Sequence, residues 1–139
     1  MILLHTNVVL EPLRRAPDAR VITWIDAQAM ETLFLSAITV AELRAGLAML
    51  PAGKRRSGLQ ENLETHVLPL FAGRVLPFDL ACTQAYAEIV AKARAAGLAI
   101  ATADGYMAAT AAANGLAVAT RDTSPFEAAG VTVINPWQA

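Results

Sequence analysis

Four polar clusters stand out along this chain because each closes an apolar run or lies near the start of a helical one. They are His5-Thr6-Asn7, Thr39 with Glu42 three residues on, Asp104, and Thr120-Arg121-Asp122. Glu42, Asp104 and Asp122 are oxygen donors of the kind hard divalent cations take. If they converge, their mutual repulsion has to be relieved by a cation or by protons. Oxygen ligands that leave water positions open suit Mg2+ or Mn2+. Such an ion activates water and neutralises charge on a phosphoryl group, which is nuclease chemistry. Local readings of the same residues stay open beside this one. Glu42 can be the capping-box partner of Thr39. Asp104 can cap the helix that follows it, and Asp122 can hold a turn ahead of Thr123-Ser124-Pro125. His5 can simply close a strand on backbone groups.

The elements that must carry these residues follow from periodicity. Residues 1–5 read as a short buried strand, with a turn around Glu11-Pro12. Asp18 to Met30 reads as a helix capped by Asp18, with Val21, Trp24 and Ile25 on one face. A strand over Leu33–Ser36 precedes a helix over Thr39–Leu50, broken by Pro51-Ala52-Gly53. Lys54 to Phe71 continues in helical spacing until Pro69 ends or bends it. Strands at 74–78, 116–120 and 131–134 alternate with helices at 79–97 and 102–114, the last stopped by Asn114-Gly115. Strands separated by helices specify an α/β domain with a mostly parallel sheet of four to five strands. In such sheets the ligand crevice opens at the carboxyl ends of the strands, which places His5 and Asp122 there.

Composition narrows the function classes. At 139 residues and 55% hydrophobic, the chain reads as one packed domain, 1–139. The net charge of −1 leaves any nucleic-acid contact to local patches such as Lys54-Arg55-Arg56. A single cysteine, Cys82, forms no disulfide within the chain and fits a reducing cytoplasm. No stretch reads as a signal peptide or a membrane span. There is no Gly-rich phosphate loop, which argues against nucleoside-triphosphate chemistry. A phosphohydrolase on a generic α/β scaffold is a weaker alternative.

The stretches MILLHTN (1–7), LSAITVAELRAGLAML (35–50), LPLFAGRVLPFD (68–79), ADGYMAATAAANGLAVATRDTSPF (103–126) and INPW (134–137) carry a more specific signal. Together they resemble the PIN-domain toxins of the VapC type, and among these the FitB group. The resemblance runs in order through nearly the whole chain. It implies a PIN-like αβα sandwich and a metal-dependent endoribonuclease, the toxin of a type II toxin-antitoxin pair. It implies Mg2+ or Mn2+ held by Glu42, Asp104 and Asp122, with Thr6 and Thr120 as accessory hydroxyls. Asn7, Arg44 and Arg121 are implied or placed as contacts to neighbours, RNA or antitoxin. The expected partners are a VapB- or FitA-type antitoxin, an RNA substrate, promoter DNA reached through the antitoxin, and a second copy of the chain.

One residue departs from the pattern. The family's first motif has an aspartate where this chain has His5. A neutral imidazole can ligate Mn2+ or Zn2+ through one nitrogen, so His5 stays a candidate ligand, but it is a poor Mg2+ ligand, and its protonated form adds positive charge to a cation site. The expectation is an attenuated or inactive nuclease, or a catalytically silent module that keeps its grip on the antitoxin.

Overall fold

The computed structural model describes residues Met1 to Ala139. Five short strands form a single sheet: β1 (Ile2–Leu4), β2 (Leu33–Ser36), β3 (Val75–Leu76), β4 (Ala117–Ala119) and β5 (Val133–Ile134). Their order is β3-β2-β1-β4-β5, and every pairing is parallel. Seven helices connect or flank them: α1 (Thr6–Leu10), α2 (Ala19–Asp26), α3 (Ala37–Ala48), α4 (Lys54–Asn62), α5 (Leu80–Ala95), α6 (Thr102–Asn114) and α7 (Thr123–Ala128).

The period of two along each strand divides the apolar residues between two cores. Leu4, Leu33, Leu35 and Ala119 face one side, where they meet Val8 of α1, Val21 of α2, Leu43 of α3, Phe71 and Trp137. Leu3 and Val118 face the other, against Ile89 of α5, Met107 of α6 and Phe126 of α7. This is the three-layer sandwich expected of parallel strands, which need helical crossovers and bury both faces. The chain leaves β1 toward β2 on one side, and β4 docks on the other. The β1–β4 seam is therefore the point where strand order reverses, and a crevice forms there at the carboxyl ends. The seam runs one residue past the strands, since His5 N–H donates to Ala119 O at 2.9 Å.

Several elements differ from the reading of the sequence. α1 and α7 are not anticipated by it; each is at most six residues long, too short for a helical period to register. The helix expected from Thr39 begins at Ala37, because Ser36 is its cap and accepts the Thr39 N–H at 3.0 Å. The Thr39–Glu42 capping box is thereby overturned. The helical pattern of 54–71 is interrupted: α4 passes into a wide π-type turn over Leu63–Val67 and a 3-10 turn over Leu68–Phe71, where Pro69 sits near the start. Arg74 secures the end of that segment, donating to Leu33 O at 3.0 Å and also to Leu70 O. Asp18 caps α2 as expected, accepting the Arg20 N–H at 2.9 Å. Gly115 closes α6 at φ +67°, a conformation that glycine adopts without steric cost.

Candidate active site

The reversal point of the sheet brings the four polar clusters to one place. β1 ends at His5 and β4 at Thr120, so parallel pairing alone sets these two side by side. The His5 Nδ1 lies 2.7 Å from Thr120 Oγ1. The opposite ring nitrogen, Nε2, lies 3.2 Å from Asp104 Oδ1 in the first turn of α6. A carboxylate can only accept, so Nε2 carries the proton. His5 is 9% exposed, and its ring packs edge-on against Phe126, with centroids 5.0 Å apart. His5 is therefore held at both nitrogens and on one edge, and it is no loose strand-end residue.

Thr120 is the hub of the β4 end. It accepts the backbone N–H of Asp122 at 3.0 Å and the Asn7 amide at 3.4 Å. Asn7 in turn accepts the Arg121 N–H at 3.4 Å, so α1 and the β4 turn are stitched together. Asp122 stands at the start of α7, but its carboxylate makes no capping bond and points free of protein partners. On the other flank, Thr6 donates its hydroxyl to Glu42 Oε1 at 2.6 Å. Asp104 does not cap α6, whose cap position is Ala101. Its carboxyl is pushed above the usual carboxylate range, chiefly by burial, then by the negative charges of Asp122 and Glu42, with His5 opposing the shift. Those two charges reach Asp104, which is the electrostatic sign that the three acids share one end of the fold.

The basic residues are placed differently. Arg44 lies on α3 with both its Nε and its Nη2 on the Glu64 carboxylate, at 2.8 and 3.0 Å. The Arg121 guanidinium lies over the Trp137 ring, 5.3 Å from its centroid. Lys54, Arg55 and Arg56 open α4, and Arg55 flanks a leucine-lined groove beside Glu42. Ser36, Met107 and Phe126 support the site and do not stand out in the sequence. A serine just ahead of a helical period is a legible cap signal for Ser36; the other two resemble ordinary core residues.

The donor set can be tested for a metal. Three carboxylates supply the oxygen chemistry a hard cation needs. In this arrangement, however, no three of the ionisable side chains stand where one ion could take them together. The protonated Nε2 of His5 has no lone pair to give, and it occupies Asp104 Oδ1. The residues as they stand do not fit a divalent cation.

Comparison with known proteins gives a consistent answer. The PIN domain family matches residues 2–131. Plasmid stability protein StbB of Pseudomonas syringae pv. tomato is 68% identical over 139 residues, the whole of both chains. VapC ribonuclease Y4jK of Sinorhizobium fredii is 62% identical over 99% of each. A chain in the crystal structure of FitAcB from Neisseria gonorrhoeae superposes with a TM-score of 0.97 at 55% identity, covering all of both chains. The structure of FitAB bound to an IR36 DNA fragment gives a TM-score of 0.96 at 54% identity, over 99% of this chain and 96% of that one.

Proposed function

This chain belongs to the PIN-domain family, in its VapC group of toxins, and on that premise we propose that it is the toxin half of a VapBC-type pair, an RNA-cleaving hydrolase whose cation site His5 has disabled. The disabling role of His5 rests on the double engagement of its imidazole, by Thr120 on one nitrogen and Asp104 on the other. We take residues 1–139 as a single PIN domain, because both cores share one sheet.

The division of labour follows from the geometry. Glu42, Asp104 and Asp122 collect negative charge at the mouth of the β1–β4 seam, the position from which Mg2+ or Mn2+ would be held if the first position were also acidic. Thr6 orients Glu42, and Thr120 orients His5 and the Asp122 backbone. Arg121, fixed on Trp137 beside the acids, is the side chain best placed to meet a phosphate or an acidic partner group. Arg44 can do so only by leaving Glu64. An RNA substrate implies that this protein works in the cytoplasm.

A protein partner is supported by the surface beside Glu42. A groove between α1, α3 and α4 is lined by Leu10, Leu43, Leu47 and Leu59 and rimmed by Arg14 and Arg55. We infer that the C-terminal segment of a VapB- or FitA-type antitoxin lies across this apolar floor and sets a basic residue among the acids. Promoter DNA is then reached through the antitoxin, and the toxin pairs with a second copy of itself. The bound imidazole also favours a second reading, a catalytically silent antitoxin-binding module.

Calorimetry with Mn2+ and Mg2+ on this chain and on His5→Asp, with RNA cleavage run alongside, separates the two. The substitution adds a carboxylate and removes the N–H that occupies Asp104, so we expect cation affinity to rise about tenfold to a hundredfold and metal-dependent cutting to appear. If neither protein cuts RNA, the ribonuclease reading fails for the lineage. If this chain binds and cuts as well as His5→Asp, the disabling role of His5 is wrong.

A further inference from the structure

α3, which bears Glu42, packs mainly into the first core through Val40, Leu43 and Leu47, and α6, which bears Asp104, packs into the second. They meet directly at one polar contact, where the Thr39 hydroxyl donates to Met107 Sδ at 3.2 Å. Thr39 lies three residues before Glu42 and Met107 three residues after Asp104. Each is thus one helical turn from a site acid and on the same face of its helix. Both are buried, at 0% and 1% exposure.

We propose that Thr39 and Met107 are a positioning pair that sets the distance between the Glu42 and Asp104 helices, and with it the seating of Asp104 against His5. This rests on the site reading above and not on any cleavage reaction. The chemistry of the contact supports it. A valine would fill the space of Thr39 without a buried hydroxyl, which costs free energy unless it is bonded. The hydroxyl is directional here. Ser36 Oγ–H points to Thr39 Oγ1 at 3.4 Å, which leaves the Thr39 proton for the sulfur. Thr6 Oγ1, also 3.4 Å away, spends its own proton on Glu42. Thr39 therefore touches the end of β2, the start of α1 and the middle of α6 through one oxygen. Methionine alone is a compliant filler, and the bond to sulfur restrains it.

The test reads the site without relying on activity. Thr39→Val, Thr39→Ser and Met107→Leu are prepared in this chain, and the His5 imidazole 15N resonances are recorded at one fixed pH beside urea unfolding. Asp104→Asn calibrates the direction in which Nε2 moves when its partner is altered. Thr39→Val and Met107→Leu should each move Nε2 in that direction, Thr39→Ser should leave it in place, and the double variant should move it no further than either single one. A Thr39→Val protein with lowered urea stability and an unmoved Nε2 overturns the proposal and leaves the pair as core packing. So does a Thr39→Ser protein that shifts as far as the valine variant. Met107→Leu conserves volume and decides the matter should Thr39→Val not fold. A failure to cut RNA would sink the ribonuclease reading and leave these resonances unaffected.

Discussion

At the scale of single residues, the chemistry turns on His5 and Asp104. Burial and two neighbouring negative charges raise the carboxyl of Asp104 above its ordinary value of 3.8, and the nearby imidazole offsets only part of this. A carboxyl raised in the folded state binds more protons there than in the unfolded chain. Stability from this group is thus full below the ordinary value and is lost as pH rises through the folded one. The expected outcome is an unfolding free energy that declines with pH just above 3.8 through this group, and an Asp104→Asn variant in which that part of the slope is gone. Urea titrations at closely spaced pH values check it. A variant with an unchanged slope would mean that Asp104 ionises as it does in the unfolded chain. Residue type and position beside an apolar run are enough to mark 5, 42, 104 and 122 as candidates in the sequence. Their partners are not legible there, because His5–Thr120 and Thr6–Glu42 join residues 115 and 36 positions apart.

At the scale of elements, α3 shows how a local rule picks the wrong residue when two hydroxyls compete. Thr39 and Glu42 have the capping-box spacing, yet Ser36 takes the cap because β2 ends there with extended backbone, at ψ 152°. Ser36 is fully buried, so Ser36→Ala leaves the Thr39 N–H without a partner in a dry place. The expected cost is about 1–2 kcal/mol, read as a lowered urea midpoint with an unchanged m-value. Freed of its capping role, Glu42 turns to Thr6 in α1. α1 itself escapes the sequence reading because its five residues are too few for a helical period to register. The chain turns into a helix there because the sheet stops at the site and both valines are needed in the first core.

At the scale of the whole molecule, two cores hang on one thin sheet, and Trp137 closes the first of them at 6% exposure. Its ring also carries the Arg121 guanidinium. Trp137→Ala should cost about 3–5 kcal/mol through the cavity it leaves, and it should free Arg121. Denaturant unfolding measures the first effect. The second should appear as faster hydrogen exchange at the Arg121 N–H, which bonds to Asn7 of α1. A loss of under about 1 kcal/mol would place Trp137 on a surface flap and outside the core. No helix is long and apolar enough to cross a membrane. Leucines also line an open groove beside Glu42.

By itself, the sequence determined what local physics controls. The alternation of apolar strands and helices, the Asp18 cap, the Asn114-Gly115 stop and the identity of the acids all follow from period, propensity and side-chain chemistry within a few residues. The motif order also placed the chain in its family, since a family signature is a property of residue types in register. The tertiary structure decided what depends on groups distant along the chain. It brought the carboxyl ends of β1 and β4 together, assigned both nitrogens of His5, moved Glu42 from a cap to Thr6, and joined α3 to α6 through Thr39 and Met107. Those choices rest on parallel strand pairing and on the burial of hydroxyls and carboxyls among neighbours that no local pattern encodes.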